Sequence, residues 1–205
     1  MNPTQNTRSQ WANFFAIAFV AVFCVAWFVR FEWQMLTEDF WYNDDNAQHV
    51  AWMWKWKANH FAENDLMNQA AERMQPIGYK ALAWLAMRVM NPMQFGKYMA
   101  ILALLTASFF AFFLLKKRLG LQAALAVAVL VGFLSMERMV GFNARALGFP
   151  LIIAFLYFLV EKKWLATAIC LLLSVNIYPV SFLTELGILA LEGGRWAISL
   201  SLIHI

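Results

Sequence analysis

Two adjacent aspartates, Asp44 and Asp45, and then His49 lie in the stretch FWYNDDNAQHVAWMWKWKANHF, Phe40 to Phe61. Glu38 and Asp39 stand just before it. Carboxylates this close raise one another's pKa, and a nearby cation reverses the shift. Such a cluster can hold a proton for acid–base work, or a divalent ion through hard oxygens. His49 has no second histidine or cysteine at ligand spacing, so it does not define a zinc site. A structural reading stands beside the chemical one. Asn43 suits a helix N-cap, and Asp44 and Asp45 would then occupy a first turn where the helix dipole favours negative charge. Asp45 and His49, four apart, would share a face.

Arg138 and Arg145, in MERMVGFNARALG, are the anion-binding candidates, because a guanidinium matches phosphate in a bidentate way. Carboxylates and arginines on one membrane face suit a reaction on a lipid-linked phosphate. Trp52, Trp54 and Trp56 alternate with Lys55 and Lys57. Trp52 and Trp56 are one helical turn apart. The expected role of the three indoles is anchoring at the membrane interface, where tryptophan is enriched. Stacking on a sugar ring is the alternative.

These groups need a scaffold, and the composition says of what kind. Of 205 residues, 62% are hydrophobic and 14% are charged, against about 25% charged in soluble domains. The net charge of +4 is dispersed in short clusters such as LLKKRLG and VEKKWL between apolar runs. That pattern sets membrane orientation and does not build a nucleic-acid surface, so no nucleic-acid partner is expected. Cys24 and Cys170 lie inside apolar segments and give no disulfide framework.

The apolar runs predict an all-α, polytopic transmembrane bundle in the lipid bilayer, with spans at about 11–31, 94–115, 119–135, 146–160 and 164–178. A last, short span falls at 181–191. Residues 32–93 form a large loop on the outward side holding eight of the twelve acidic residues. Within it, the stretch from Pro76 to Met90 is interrupted by Lys80 and Arg88, which suits an interfacial or re-entrant helix. Pro76 fits its first turn, and Pro179 ends or kinks the helix before it. The clusters Lys116–Arg118 and Glu161–Lys163 place those turns, the amino terminus and Arg195 in the cytoplasm. The acidic loop, Arg138 and Arg145 then face the other compartment. Glu185 is a minor candidate, because ionisable groups in apolar spans are costly and often functional.

The last six residues, LSLIHI, back-translate to something resembling the transposon-end adapter of sequencing libraries. On that reading residues 200–205 are an adapter-derived tail, and residues 1–199 are the amino-terminal part of a longer protein.

The segments DDNAQHVAWMWKW, ENDLMNQAAERMQPIGYKALAWLA and LLKKRLGLQAALAVAVLVGF, in this order, resemble the GT-C superfamily of integral-membrane glycosyltransferases. The resemblance implies transfer of a sugar, with inversion, from a polyprenyl-phosphate carrier on the non-cytoplasmic face of a bacterial inner membrane. It gives Asp44 or Asp45 the part of base toward the acceptor hydroxyl, or of metal ligand as in some branches. Glu38, Asp39 and His49 would support that site. Arg138 or Arg145 would meet the carrier phosphate, an assignment made by location. The motif departs from the Asp-Glu and Asp-x-Asp forms of some branches. Two other readings compete: a transporter or flippase for a lipid-linked or anionic solute, and a non-catalytic membrane subunit. No internal repeat is visible, which favours the enzyme over the transporter.

Overall fold

A computed structural model of the chain describes residues 3–37, 50–57, 65–139 and 142–203. All regular structure among the described residues is helical. Apolar runs rich in Ala, Leu, Phe and Met favour this outcome, because a helix satisfies its backbone polar groups internally where water is scarce.

The first run forms α1 (Pro3–Phe31), followed after a bend at Glu32 by the short α2 (Trp33–Thr37). Residues 10–31 have a mean hydropathy of 2.4 over their apolar window, long and apolar enough to cross a membrane. A 3-10 helix covers Ala51–Trp56. Next come α3 (Leu66–Met74) and α4 (Ile77–Ala86). Asp65 caps α3, its side chain accepting from the backbone N–H of Met67 at 2.9 Å and of Asn68 at 3.4 Å. Pro76 precedes α4 as its cap residue in extended backbone, where a missing N–H costs nothing.

Spans expected at 94–115 and 119–135 belong to α5 (Pro92–Met139), which is broken at Gly120 (φ 84°, ψ 175°). Only glycine adopts that backbone without strain. The halves, 92–119 and 121–139, fold back on each other. A Cβ on Gly132 would lie 3.1 Å from Ser108 Oγ and 2.9 Å from Cys24 Sγ. At Gly132, therefore, α1 and both halves of α5 come close together, and Cys24 Sγ donates to Ser108 Oγ at 3.3 Å there.

A second 3-10 helix (Ala144–Leu147) leads into α6 (Gly148–Val160), then α7 (Trp164–Ile177) and α8 (Pro179–Ile203). Helix α7 ends at Tyr178, whose extended backbone lets Pro179 open the next helix. The short terminal span expected at 181–191 is part of this 25-residue helix. Consecutive helices pack as neighbours: α1 on α5, α5 on α6, α6 on α7, α7 on α8, with α8 also on α6.

The core is aromatic and small-residue packing around Phe28, Phe95, Leu104, Phe112 and the alanines of α5. The outer faces stay apolar. Phe14, Phe15 and Phe19 of α1, and Leu165, Leu172 and Leu183 of α7 and α8, are exposed. Contiguous exposed apolar faces of this kind mark lipid or partner contact. Among the described residues two helices, α1 and α5, meet the length and hydropathy needed to span a bilayer.

Candidate functional site

The two ends of the bundle differ in chemistry. At one end Lys117 pairs with Glu161, joining the Lys116–Arg118 turn to the Glu161–Lys163 turn. The Lys117 hydrogen bond holds the Glu161 carboxyl below its ordinary range, and the same contact pushes the Lys117 ammonium up. The contact brings the two basic turns side by side.

The other end carries Arg145. Its scaffold begins with α5, whose last turn holds the exposed Arg138. The backbone then turns at Phe142, whose N–H donates to Met139 O at 3.1 Å. Phe142 has φ 40°, in the left-handed region that a bulky side chain avoids. Strain of this kind, about 1–3 kcal/mol, persists only where the surroundings hold it. Here they do. The Tyr79 hydroxyl, from α4, donates to Phe142 O at 2.6 Å, and both residues are fully buried. The Phe142 ring packs edge-to-face on Phe95 at 5.2 Å between centroids. Burial pushes the Tyr79 phenol far above its ordinary range, so the donor keeps its proton.

Asn143 then caps the 3-10 helix, its side-chain oxygen accepting from Ala146 N–H at 3.2 Å. This places Arg145 on the exposed side of a short, buried helix. Two glycines close the scaffold. A Cβ on Gly78 would meet the backbone O of Asn176 at 2.8 Å, and one on Gly148 would meet the Tyr178 ring at 2.6 Å. The start of α4, the start of α6 and the α7–α8 turn thus meet behind the Arg145 segment.

The loop that follows α1 reaches the same end. Lys97 Nζ donates to Leu36 O at 3.3 Å, tying α2 to the start of α5. Glu32, at the bend, is half-buried, and burial pushes its carboxyl up. Trp52 is enclosed within the core at 1% exposure, edge-to-face with Trp56 at 5.2 Å. Its indole packs the protein interior. Trp54 and Trp56 are half-buried and remain partly at the surface. Lys55 lies 5.1 Å from the Trp56 ring centroid and pairs with Glu72 of α3, so the indoles also seat a cation.

Asp44, Asp45, Glu38, Asp39 and His49 lie outside the described residues. Among the described residues no group of three or more His, Cys, Asp or Glu is placed to hold a metal ion. Tyr79, Phe142 and Asn143, which shape the arginine segment, were not singled out by residue type or spacing.

An apolar cavity of about 420 Å³ opens between α5, α6 and α7, lined by Met99, Phe110, Phe142, Leu147, Leu151 and Ile169 among others. Phe142 and Leu147, on either side of Arg145 in sequence, line it, so a cationic segment borders a hydrocarbon-like hollow. No family model, curated protein or solved structure matches this chain.

Proposed function

We propose that the chain is a multi-pass inner-membrane glycosyltransferase of the GT-C kind, taking its sugar from a polyprenyl-phosphate carrier. The amino terminus and the Lys117–Glu161 end lie in the cytoplasm, and the Arg145 end faces the opposite compartment. The observation that carries this reading is the apolar cavity bordered by the Arg145 segment. It accommodates the isoprenoid chain, while Arg145, with Arg138, meets the phosphate. Asp44 or Asp45 removes the acceptor proton as the anomeric bond breaks, and the arginine stabilises the departing lipid phosphate.

The test is sugar transfer from polyprenyl-phosphate donors in membranes carrying the full chain, wild type against Asp44→Asn, Asp45→Asn and Arg145→Ala. Loss of one positioned acid–base group reduces turnover by about 10²–10⁴-fold. Arg145→Ala weakens the donor interaction and raises KM. Turnover unchanged in all three variants removes the reading.

A further inference from the structure

Glu185 stands apart from the Arg145 site. It lies on α8, is fully buried, and faces α7, where Ser174 Oγ donates to its Oε1 at 2.7 Å. Its second oxygen, Oε2, is equally buried and has no hydrogen-bond partner among the described residues. Ser181, one turn earlier on the same face, is buried too, its hydroxyl turned back to Tyr178 O at 2.7 Å and away from the carboxyl.

Among the described residues no Lys or Arg pairs with it. The two helices packed against α8 are α6 and α7, and neither sequence, GFPLIIAFLYFLV or WLATAICLLLSVNI, contains a charged residue. Their titratable groups are two. Cys170, one turn before Ser174 on α7, is buried. Tyr157 of α6 turns toward Phe110 and Phe113 of α5. On α8 itself Glu192 lies two turns further along and is half-buried. An ionised carboxylate with one oxygen lacking any donor, in an apolar enclosure, is strongly disfavoured, and such a group neutralises instead.

A merely structural polar contact between α7 and α8 would be served by one hydrogen bond and a neutral amide. Glu185 adds an acid whose second oxygen meets no donor among the described residues. We propose that Glu185 is a proton-binding site in the apolar interior of the bundle, loaded in the closed packing of α6, α7 and α8 and discharged when water reaches the α7–α8 seam. Its ligand is a single proton: the acid gives it to water as hydronium and regains it on closure. The proposal holds whether the chain transfers sugar or moves a solute.

Dicyclohexylcarbodiimide is the probe, applied to the full chain in native membranes and read by peptide mass spectrometry. A neutral carboxyl in apolar surroundings gives its proton to one carbodiimide nitrogen, and the carboxylate oxygen adds to the central carbon. The O-acylisourea then rearranges to an N-acylurea, with no atom lost. The expected result is an adduct on Glu185, absent from Glu185→Gln, with a yield that falls as pH rises. Glu185→Gln keeps the Ser174 contact and should retain the wild-type thermal transition. No adduct on Glu185 at acid pH, or a yield independent of pH, overturns the proposal. Ser174→Ala supplies an arm that does not depend on the Gln variant folding. It keeps the carboxyl and removes its donor, so the infrared carbonyl band of the protonated acid must move to higher frequency. Absence of that band from the wild type, or a band that does not move, also overturns it.

Discussion

Tyr79→Phe is the sharpest probe of how the arginine segment is held. The change removes one oxygen and leaves the ring, so the contacts of Tyr79 with Phe95 and Phe142, at 6.2 and 6.3 Å between centroids, survive. What is lost is the 2.6 Å bond to Phe142 O, in a fully buried setting. A buried carbonyl left without its donor costs about 1–3 kcal/mol. The short bond and complete burial favour the middle or upper part of that range, so about 2 kcal/mol is expected. That is a roughly thirty-fold change in an equilibrium constant, since about 1.4 kcal/mol is tenfold. Part of it should appear as relaxation of the strained Phe142 backbone, and hence as misplacement of Arg145. The assay is thermal unfolding in detergent together with donor KM. The expected result is a lowered transition and a raised KM, with kcat less affected. A variant whose transition and KM both match wild type would refute the clamp. The pH dependence has a defined sign. The phenol is raised in the folded state, so its stabilising contribution is complete below the ordinary tyrosine range and is lost as pH climbs through the folded value.

Gly132→Ala should destabilise the α1–α5 contact by about 1–3 kcal/mol through overpacking, outweighing the gain of about 1 kcal/mol in helix propensity. Adding Cys24→Ala removes the Sγ that the new Cβ would meet at 2.9 Å, so the double variant should recover stability in an unfolding assay. Glu161→Gln should leave the thermal transition unchanged, because the Lys117 pair is exposed and screened. In the wild type the Glu161 contribution is present above the ordinary glutamate range and lost on acidification through its lowered value, and Lys117 loses its part only in strong alkali. Unfolding scans across pH should therefore show only a shallow slope from this pair.

Much of the fold is readable in the chain because apolar runs declare helices by length alone. The reversal at Gly120 is announced by Lys116–Arg118 between two apolar stretches. The full extent of α8 is hidden, because Glu185, Glu192, Gly193 and Gly194 lower the hydropathy of a segment that is nonetheless helical. The Tyr79 bond is hidden for a different reason. Its acceptor is a backbone carbonyl 63 residues away, and a carbonyl leaves no mark on residue type. Alternation with lysines suggests an interface for the tryptophans, and the enclosure of the Trp52 ring depends on tertiary packing that the alternation does not show. The arginines were legible as charged residues between spans. The aromatic cluster that holds the Arg145 segment was not, since it depends on packing between two helices, α4 and α5, and the Phe142 turn.

The break at Gly120 has a consequence for how the chain tolerates insertion. Ser108 and Gly132 sit equally far from it in sequence and meet across the hairpin. One residue added between positions 120 and 132 would rotate everything downstream by about 100°. The bare face of Gly132 would swing off Cys24 and Ser108, and a branched side chain would be driven into the gap. A whole turn of three or four residues would restore the angle but slide the second arm along the first. The hairpin therefore works as a length gauge, setting the height at which Arg138 and the Arg145 segment emerge.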